Sequence, residues 1–330
     1  MLALLTGFFF GFVPMFLFAY ILYWLDRYEK EPLSLLVGVF VWGMVVAAGG
    51  SYILNTLFGI SVFAVTGDEF LTDVTTSSLS APLVEESLKG LAVLLVFIVF
   101  RKEFDSVLDG IIYAGISALG FAATENTIYI LRGYQSGGWG ELLALTFIRV
   151  VLVGWQHPVY TSFTGVGLAL ARTNRSWFVK LVAPPIGWGL SMLTHSFHNF
   201  LASVPLLGEA TCFVGLILDW LGVFFVFLVI LWATQREQKL LKAHLSEEVS
   251  LGIITPTQYR TASSAWAQMF ARLNALFGGR YRSTARFYQV CGELAHKKQQ
   301  YLTLGNEEDN QASIQKYRAE LERLAPYARA

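Results

Sequence analysis

Seven apolar stretches, each long enough to cross a bilayer as a helix, run through residues 4–233: about 4–25, 33–57, 77–100, 106–131, 141–170, 178–204 and 210–233. A hydrocarbon core of roughly 30 Å takes about 20 helical residues to cross. In that medium only helices and closed barrels satisfy their own backbone. The pattern predicts an all-α, polytopic membrane helix bundle of about seven transmembrane helices. The 141–170 stretch is longer than one span and contains Pro158, so its ends are the least defined. The first stretch has no basic leader and no small-residue cleavage site, and it reads as a retained helix.

Charge divides the chain in two. Residues 1–234 carry 10 Lys and Arg against 15 Asp and Glu, net −5, and residues 235–330 carry 14 against 9, net +5. This predicts a transmembrane domain over 1–234 and a small helical cytosolic segment over 235–330. Alternate loops hold Arg27 and Lys30, then Arg101 and Lys102, then Arg172, Arg175 and Lys180. The opposite set has Arg132 beside Asp68, Glu69, Asp73, Glu141 and Glu209. The basic set belongs inside, which predicts an N-out, C-in topology. The two cysteines, Cys212 and Cys291, fall in different regions and imply no disulfide framework or CxxC metal knuckle.

Four polar signatures interrupt the apolar stretches: Glu85-Glu86-x-x-Lys89, Phe121-x-x-x-Glu125-Asn126, His157-x-x-x-Thr161 and His195-x-x-x-Asn199. Each has an i,i+4 pair, so its members share one helix face. Ionisable groups inside a span are costly and mark functional sites. Counted along their spans at 1.5 Å per residue, Glu85, Glu125, His157 and His195 fall at similar depths in the outer half of the bilayer. One layer then holds three carboxylates and two imidazoles, the inventory of a hydrolytic site. A partly desolvated carboxylate serves as a base, histidine moves a proton or binds a metal, and Asn199 is a neutral donor for an oxyanion.

Taken singly, each feature has a plainer reading. A Glu–Lys pair in a span is commonly structural, and a single membrane histidine such as His198 is commonly packing. Arg149, Asp109 and Asp219 read first as helix-to-helix pairing, and His244 and His296 as surface residues of the tail. The charged turn Asp26–Pro32 reads as a solvated interfacial turn, and the basic run Arg280, Arg282, Arg286 as a patch resting on anionic headgroups. No reader motif accompanies the tail's charge, so nucleic acid is not an expected partner. The coincidence of four signatures argues for a site.

These motifs resemble the PrsW family of intramembrane proteases, within the larger group that includes the CAAX prenyl endopeptidases and bacteriocin-processing relatives. Glu85-Glu86-x-x-Lys89, the run from Leu108 to Gly115 leading to Phe121–Asn126, and the two His-x-x-x-Thr/Asn helices match in order, and the turn Asp26–Pro32 is also similar. The resemblance covers about 1–234 and leaves the tail without a counterpart. It implies an integral-membrane endopeptidase, placed in a bacterial inner membrane, that cleaves single-span or membrane-anchored proteins such as anti-sigma factors. Carried over by position, Glu85 is the catalytic glutamate and Glu86 its neighbour. Glu125, His157, His195 and Asn199 complete the site, supported by Lys89, Asn126 and Thr161. The family has been described both as metal-dependent and as glutamic. Glu85, Glu125, His157 and His195 are the residues a divalent ion such as zinc would use. The lack of an HExxH helix and the charge of Lys89 beside Glu85 favour metal-independent general-base chemistry. Two other functions use the same features: a proton-coupled transporter built on the Glu/His cluster, or a non-catalytic membrane scaffold. Inverted repeats and paired broken helices, expected of a carrier, are not evident.

Overall fold

The computed structural model describes residues 1–204, 210–306 and 309–328. Glu209, used above for loop charge, lies outside the described residues, as do the side chains of Ala210 and Cys212. Every regular element among the described residues is helical, and the chain divides into two compact units.

Unit 1 comprises Met1–Trp24, Pro32–Arg172 and Ser176–Val229. It begins with α1 (Leu2–Leu25), 24 residues without a charge. Next come α2 (Leu33–Val41), a π-helical turn over Trp42–Ala47, α3 (Ala48–Thr66) and α4 (Glu69–Thr75). A second π-helical turn, Thr76–Ser80, leads into α5 (Ala81–Val99). The long α6 (Val107–Thr146) runs into a third π-helical turn, Phe147–Leu152, followed by α7 (Gln156–Thr173) and α8 (Trp177–Ser203). The first part of α9 (Ala210–Ser250) completes the unit.

α6 is the central helix, with every residue from Val107 to Ala123 buried. It starts in a capping box in which Ser106 and Asp109 exchange backbone and side-chain bonds. Asp109 therefore caps its own helix, where the sequence suggested pairing between helices. Gly110 of α6 faces Gly165 of α7, and a Cβ on either would run into the other's carbonyl. Gly43 and Gly120 bring the first π-helical turn equally close to α6. Small residues at these crossings let backbones touch, as helix association in lipid requires.

Among the described residues, four stretches are long and apolar enough to cross a membrane by length and composition alone: Leu2–Leu25, Leu33–Thr66, Val107–Thr173 and Phe213–Ser250. α5 carries Glu85, Glu86 and Lys89 within 19 residues, so the groups that mark the site are the ones that lower its apolarity. The protein is an all-α membrane protein. The stretch read as one span over 141–170 is instead a broken passage. Gly138 takes a left-handed conformation (φ 67°) and ends the straight part of α6. The backbone leaves helical geometry again at Val153 before α7 begins.

Unit 2 comprises Leu25–Glu31, Thr173–Arg175 and Ile230–Ala330. Its helices are the end of α9, α10 (Pro256–Ala262), α11 (Ala265–Phe277), α12 (Tyr281–Leu304) and α13 (Asn310–Leu324). The core gathers Leu241, Leu245, Phe287, Tyr288, Cys291, Leu294 and Leu321 around Tyr28. The turn after α1 is thus built into this core, where a solvated turn was expected. Gln289 accepts from Lys30 N at 2.8 Å and donates to Lys30 O at 3.0 Å. Gly292 leaves room for the Tyr28 carbonyl, which a Cβ would meet at 2.6 Å. Five charges in seven residues favour water until their backbone is tied down from both sides. His296, expected at the surface, is buried 3.3 Å from Glu29.

Candidate active site

Four helices of unit 1 bring the candidate catalytic residue types together. α5 presents Glu85, Glu86 and Lys89, all buried, from one and a half turns of helix. α6 presents Glu125 and Asn126. The break before α7 sets His157 in the first turn of that helix, and α8 presents His195.

Glu86 is fully engaged. Its Oε1 lies 2.6 Å from Lys89 Nζ and 2.8 Å from His195 Nδ1, and its Oε2 accepts from Thr161 Oγ1 at 2.8 Å. Lys89 reaches further, to 3.8 Å from Glu85 Oε2 and 3.3 Å from His157 Nδ1, and lies 4.4 Å from the centre of the Phe121 ring. A buried ion pair is tolerable when its remaining bonds are made, and here they are. The expected one-turn partnership of Glu85 with Lys89 is the looser of the two. Lys89 belongs first to Glu86.

Glu85 differs. It is 5 % exposed, yet its Oε2 has no hydrogen-bond partner among the described residues. His195 Nε2 lies 3.9 Å from that oxygen. Donor atoms of Glu85, His157 and His195 all fall within 4.8 Å of one another. Glu125 stands aside from this trio: its Oε2 lies 2.9 Å from His157 Nε2 and is ion-paired with Arg149. Asn126 accepts from Arg149 Nε at 2.9 Å. Asn199 donates to the Ser77 carbonyl at 2.8 Å. His198 and Tyr160 both bond to Asp219, at 2.8 and 3.2 Å, so those groups tie α7, α8 and α9 together.

Two cavities meet at this cluster. One, of about 500 Å³, is lined by Ser51, Asn55 and Asp73 with Arg132. The other, of about 290 Å³, is lined by Arg149, His157, His195 and Asn199. Glu85, Glu125 and Tyr129 line both.

Arg149 and Tyr160 also belong to the cluster. Arg149 does pair helical segments, but it does so on the cavity wall through Glu125 and Asn126. A lone arginine in the apolar run Phe147–Leu152 was the available signal. Tyr160 stacks on His195, with ring centres 4.9 Å apart and planes at 19°. Its place one turn after His157 is the trace it leaves in the sequence.

The donor set suits a divalent ion. Glu85 offers an unpartnered buried oxygen, two imidazoles face it, and Glu86 holds His195 through the opposite ring nitrogen, as outer carboxylates do for metal-binding histidines.

Residues 31–234 match the family model described as PrsW family intramembrane metalloprotease. The chain is similar to the Protease PrsW of Geobacillus kaustophilus (strain HTA426), 35% identical over 106 residues, which cover 32% of this chain and 44% of that one. It is 37% identical over 105 residues to the Protease PrsW of Clostridioides difficile (strain 630), covering 32% and 42%. With the Protease PrsW of Bacillus subtilis (strain 168) it shares 26% identity over 213 residues, covering 63% and 82%. The match thus spans less than half the length of the first two relatives. No solved structure matches the chain. With the family model covering most of unit 1, the chain belongs to the PrsW family of intramembrane metalloproteases.

Proposed function

We propose that this chain is an integral-membrane endopeptidase that hydrolyses a peptide bond of a single-span or membrane-anchored protein. Glu85 would be the base, acting from the junction of the two cavities. The observation that carries this reading is the unpartnered Glu85 Oε2, buried yet facing two imidazoles. A buried acceptor that makes no hydrogen bond calls for a partner such as a water or an ion.

Glu85, His157 and His195 are the residues that would hold a divalent ion. Bound there, zinc would supply Lewis-acid polarisation of the scissile carbonyl and a water activated near neutral pH. Of the two features that favoured metal-independent chemistry, the lack of an HExxH helix stands, and the other is Lys89 beside Glu85. The 2.6 Å contact of Lys89 with Glu86 weakens the second, because the ammonium is already balanced there. Glu86 keeps the His195 ring turned with Nε2 toward Glu85, and Glu125 orients His157 from its other side. The Glu85 carboxylate takes the proton of the attacking water. Glu85 would then return that proton to the leaving amine, while Glu125 fixes the His157 ring. Arg149 and Asn199 supply donors around the cavity where an oxyanion would form. The other cavity, lined with hydroxyl and amide side chains, suits an extended backbone whose polar groups must be satisfied inside the membrane. The N-out topology would open this layer to the periplasmic side of a bacterial inner membrane, and anti-sigma-factor-like signalling proteins are the substrate type the reading favours.

The test uses the full chain in vesicles with a panel of single-span substrates. Wild type should cleave at least one substrate, lose activity to a chelator and regain it with zinc. Glu85→Gln should be expressed normally and be inactive under every condition. Full cleavage by Glu85→Gln would overturn the role of Glu85. Uptake of a solute without hydrolysis would favour the transporter reading instead.

A further inference from the structure

The helix α11 carries its large apolar side chains on the wrong side for a soluble domain. Trp266, Phe270, Leu273 and Phe277 are 65, 56, 46 and 90% exposed. Their spacing of four, three and four residues puts them within one narrow stripe of the helix. The opposite face holds small or polar residues, with Gln268, Ala271 and Ala275 buried. Unit 2 has its own core without the stripe. A contiguous aromatic patch of this kind on a polar domain marks an interaction surface.

Three observations say what covers it. The first is attachment. Tyr28 Oη accepts from the backbone N–H of Ala265 at 3.2 Å, and the Arg27 guanidinium lies 6.0 Å from the centre of the Trp266 ring. Arg27 and Tyr28 follow directly on α1, whose last residue is Leu25. The start of α11 is therefore fastened to the point where a membrane-crossing helix ends. The second is charge: Arg280 and Arg282, just past the stripe, are exposed. Arg286 is spent inside the unit on Glu293 and Glu320, at 2.7 and 2.8 Å, so it is not part of a headgroup-binding run. The third is residue type. Trp, Phe and Leu on one side with arginines at the margin is the composition of a helix lying in a bilayer interface.

We infer that α11 is an interfacial membrane anchor. Its Trp266–Phe270–Leu273–Phe277 stripe enters the bilayer surface on the side where α1 ends, with Arg280 and Arg282 on anionic lipid headgroups. The anchor is independent of the chemistry proposed for unit 1.

The test is hydroxyl-radical footprinting of the full chain, one copy per nanodisc, with Tyr327 (59% exposed) as the internal reference. In discs containing phosphatidylglycerol, Trp266, Phe270 and Phe277 should be labelled several-fold less than Tyr327, and a diazirine-bearing phosphatidylglycerol should crosslink to the 265–282 peptide. The pair Arg280→Glu and Arg282→Glu, both at exposed positions, should lower that crosslinking toward the level seen in phosphatidylcholine alone. Labelling of the stripe equal to that of Tyr327 would overturn the inference. So would protection without a lipid crosslink, or protection that appears only with two copies per disc, which would indicate a second chain as the occupant.

Discussion

His195 Nδ1 lies 2.8 Å from Glu86 Oε1, and the opposite ring nitrogen faces Glu85 Oε2 at 3.9 Å. One carboxylate of the adjacent pair therefore holds the histidine, and the other is the base of the proposed reaction. Neighbouring residues on a helix point about 100° apart, which is how Glu85 and Glu86 divide these tasks. Glu86 is a positioning residue.

Removing the Glu86 charge should be costly in two separable ways. Glu86→Gln frees His195 and should lower activity about 10- to 100-fold. It also leaves Lys89 as a buried, poorly balanced cation, which should cost about 3–5 kcal/mol of stability. The double variant Glu86→Gln with Lys89→Met should recover thermal stability in detergent but not proteolysis. Recovery of both would mean that Glu86 serves the fold alone.

Arg149 should not be replaceable by lysine. Its guanidinium ties Glu125 and Asn126 together at one wall of the cavity, a fork that a point-charge ammonium cannot reproduce. Arg149→Lys should reduce turnover with expression unchanged. The readout that separates positioning from simple folding is the pH profile: loosened Glu125 should shift the His157-dependent limb, and an unmoved profile would argue against this role.

The contact of α6 with α7 should tolerate no side chain. Gly110 and Gly165 have ordinary backbone angles, so only space is at issue. Gly165→Ala should cost about 1–3 kcal/mol by overpacking. Gly165→Leu should displace α7, carry His157 away from Glu85, and abolish activity. Both are read by thermal unfolding and by cleavage of the same substrate.

Cys291 should be silent toward thiol reagents in the folded protein. It is completely buried in the core of unit 2, and that burial pushes its thiol up from the ordinary range. A maleimide should label it only after denaturation. With Cys212 replaced by serine, ready labelling of Cys291 in the native chain at neutral pH would contradict the packing around Tyr28 and Tyr288.

Lys30 sets a pH dependence for unit 2. Burial pushes its ammonium down to about 8, partly offset by Asp26. Between pH 8 and its ordinary value the unfolded chain holds the extra proton, so stability rises with pH across that window. The gain should reach at most about 3 kcal/mol. It should disappear in Lys30→Met, as followed by exposure of Cys291 to a pH-tolerant disulfide probe in urea. An equal rise in that variant would assign the effect to another group.

The sequence by itself determined the fold class, because long uncharged stretches leave the backbone no option but helices in a bilayer. It also marked Glu85, Glu125, His157 and His195, because charge inside a span is too costly to be incidental. The ends of the tail helices were legible as well, since Thr255-Pro256 and Gly278-Gly279 carry their own turn chemistry. Which carboxylate of the pair touches which histidine was not, because it depends on how α5, α7 and α8 rotate against one another. The break between Gly138 and Gln156 was legible only as a stretch too long for one span: Gly138 and Gly154 permit a change of direction, but hydropathy does not record which way the chain turns. Burial of the turn Asp26–Glu31 and exposure of the α11 stripe were likewise decided only in three dimensions. Composition records how much a residue prefers water, whereas tertiary contacts decide whether water, lipid or another side chain meets it.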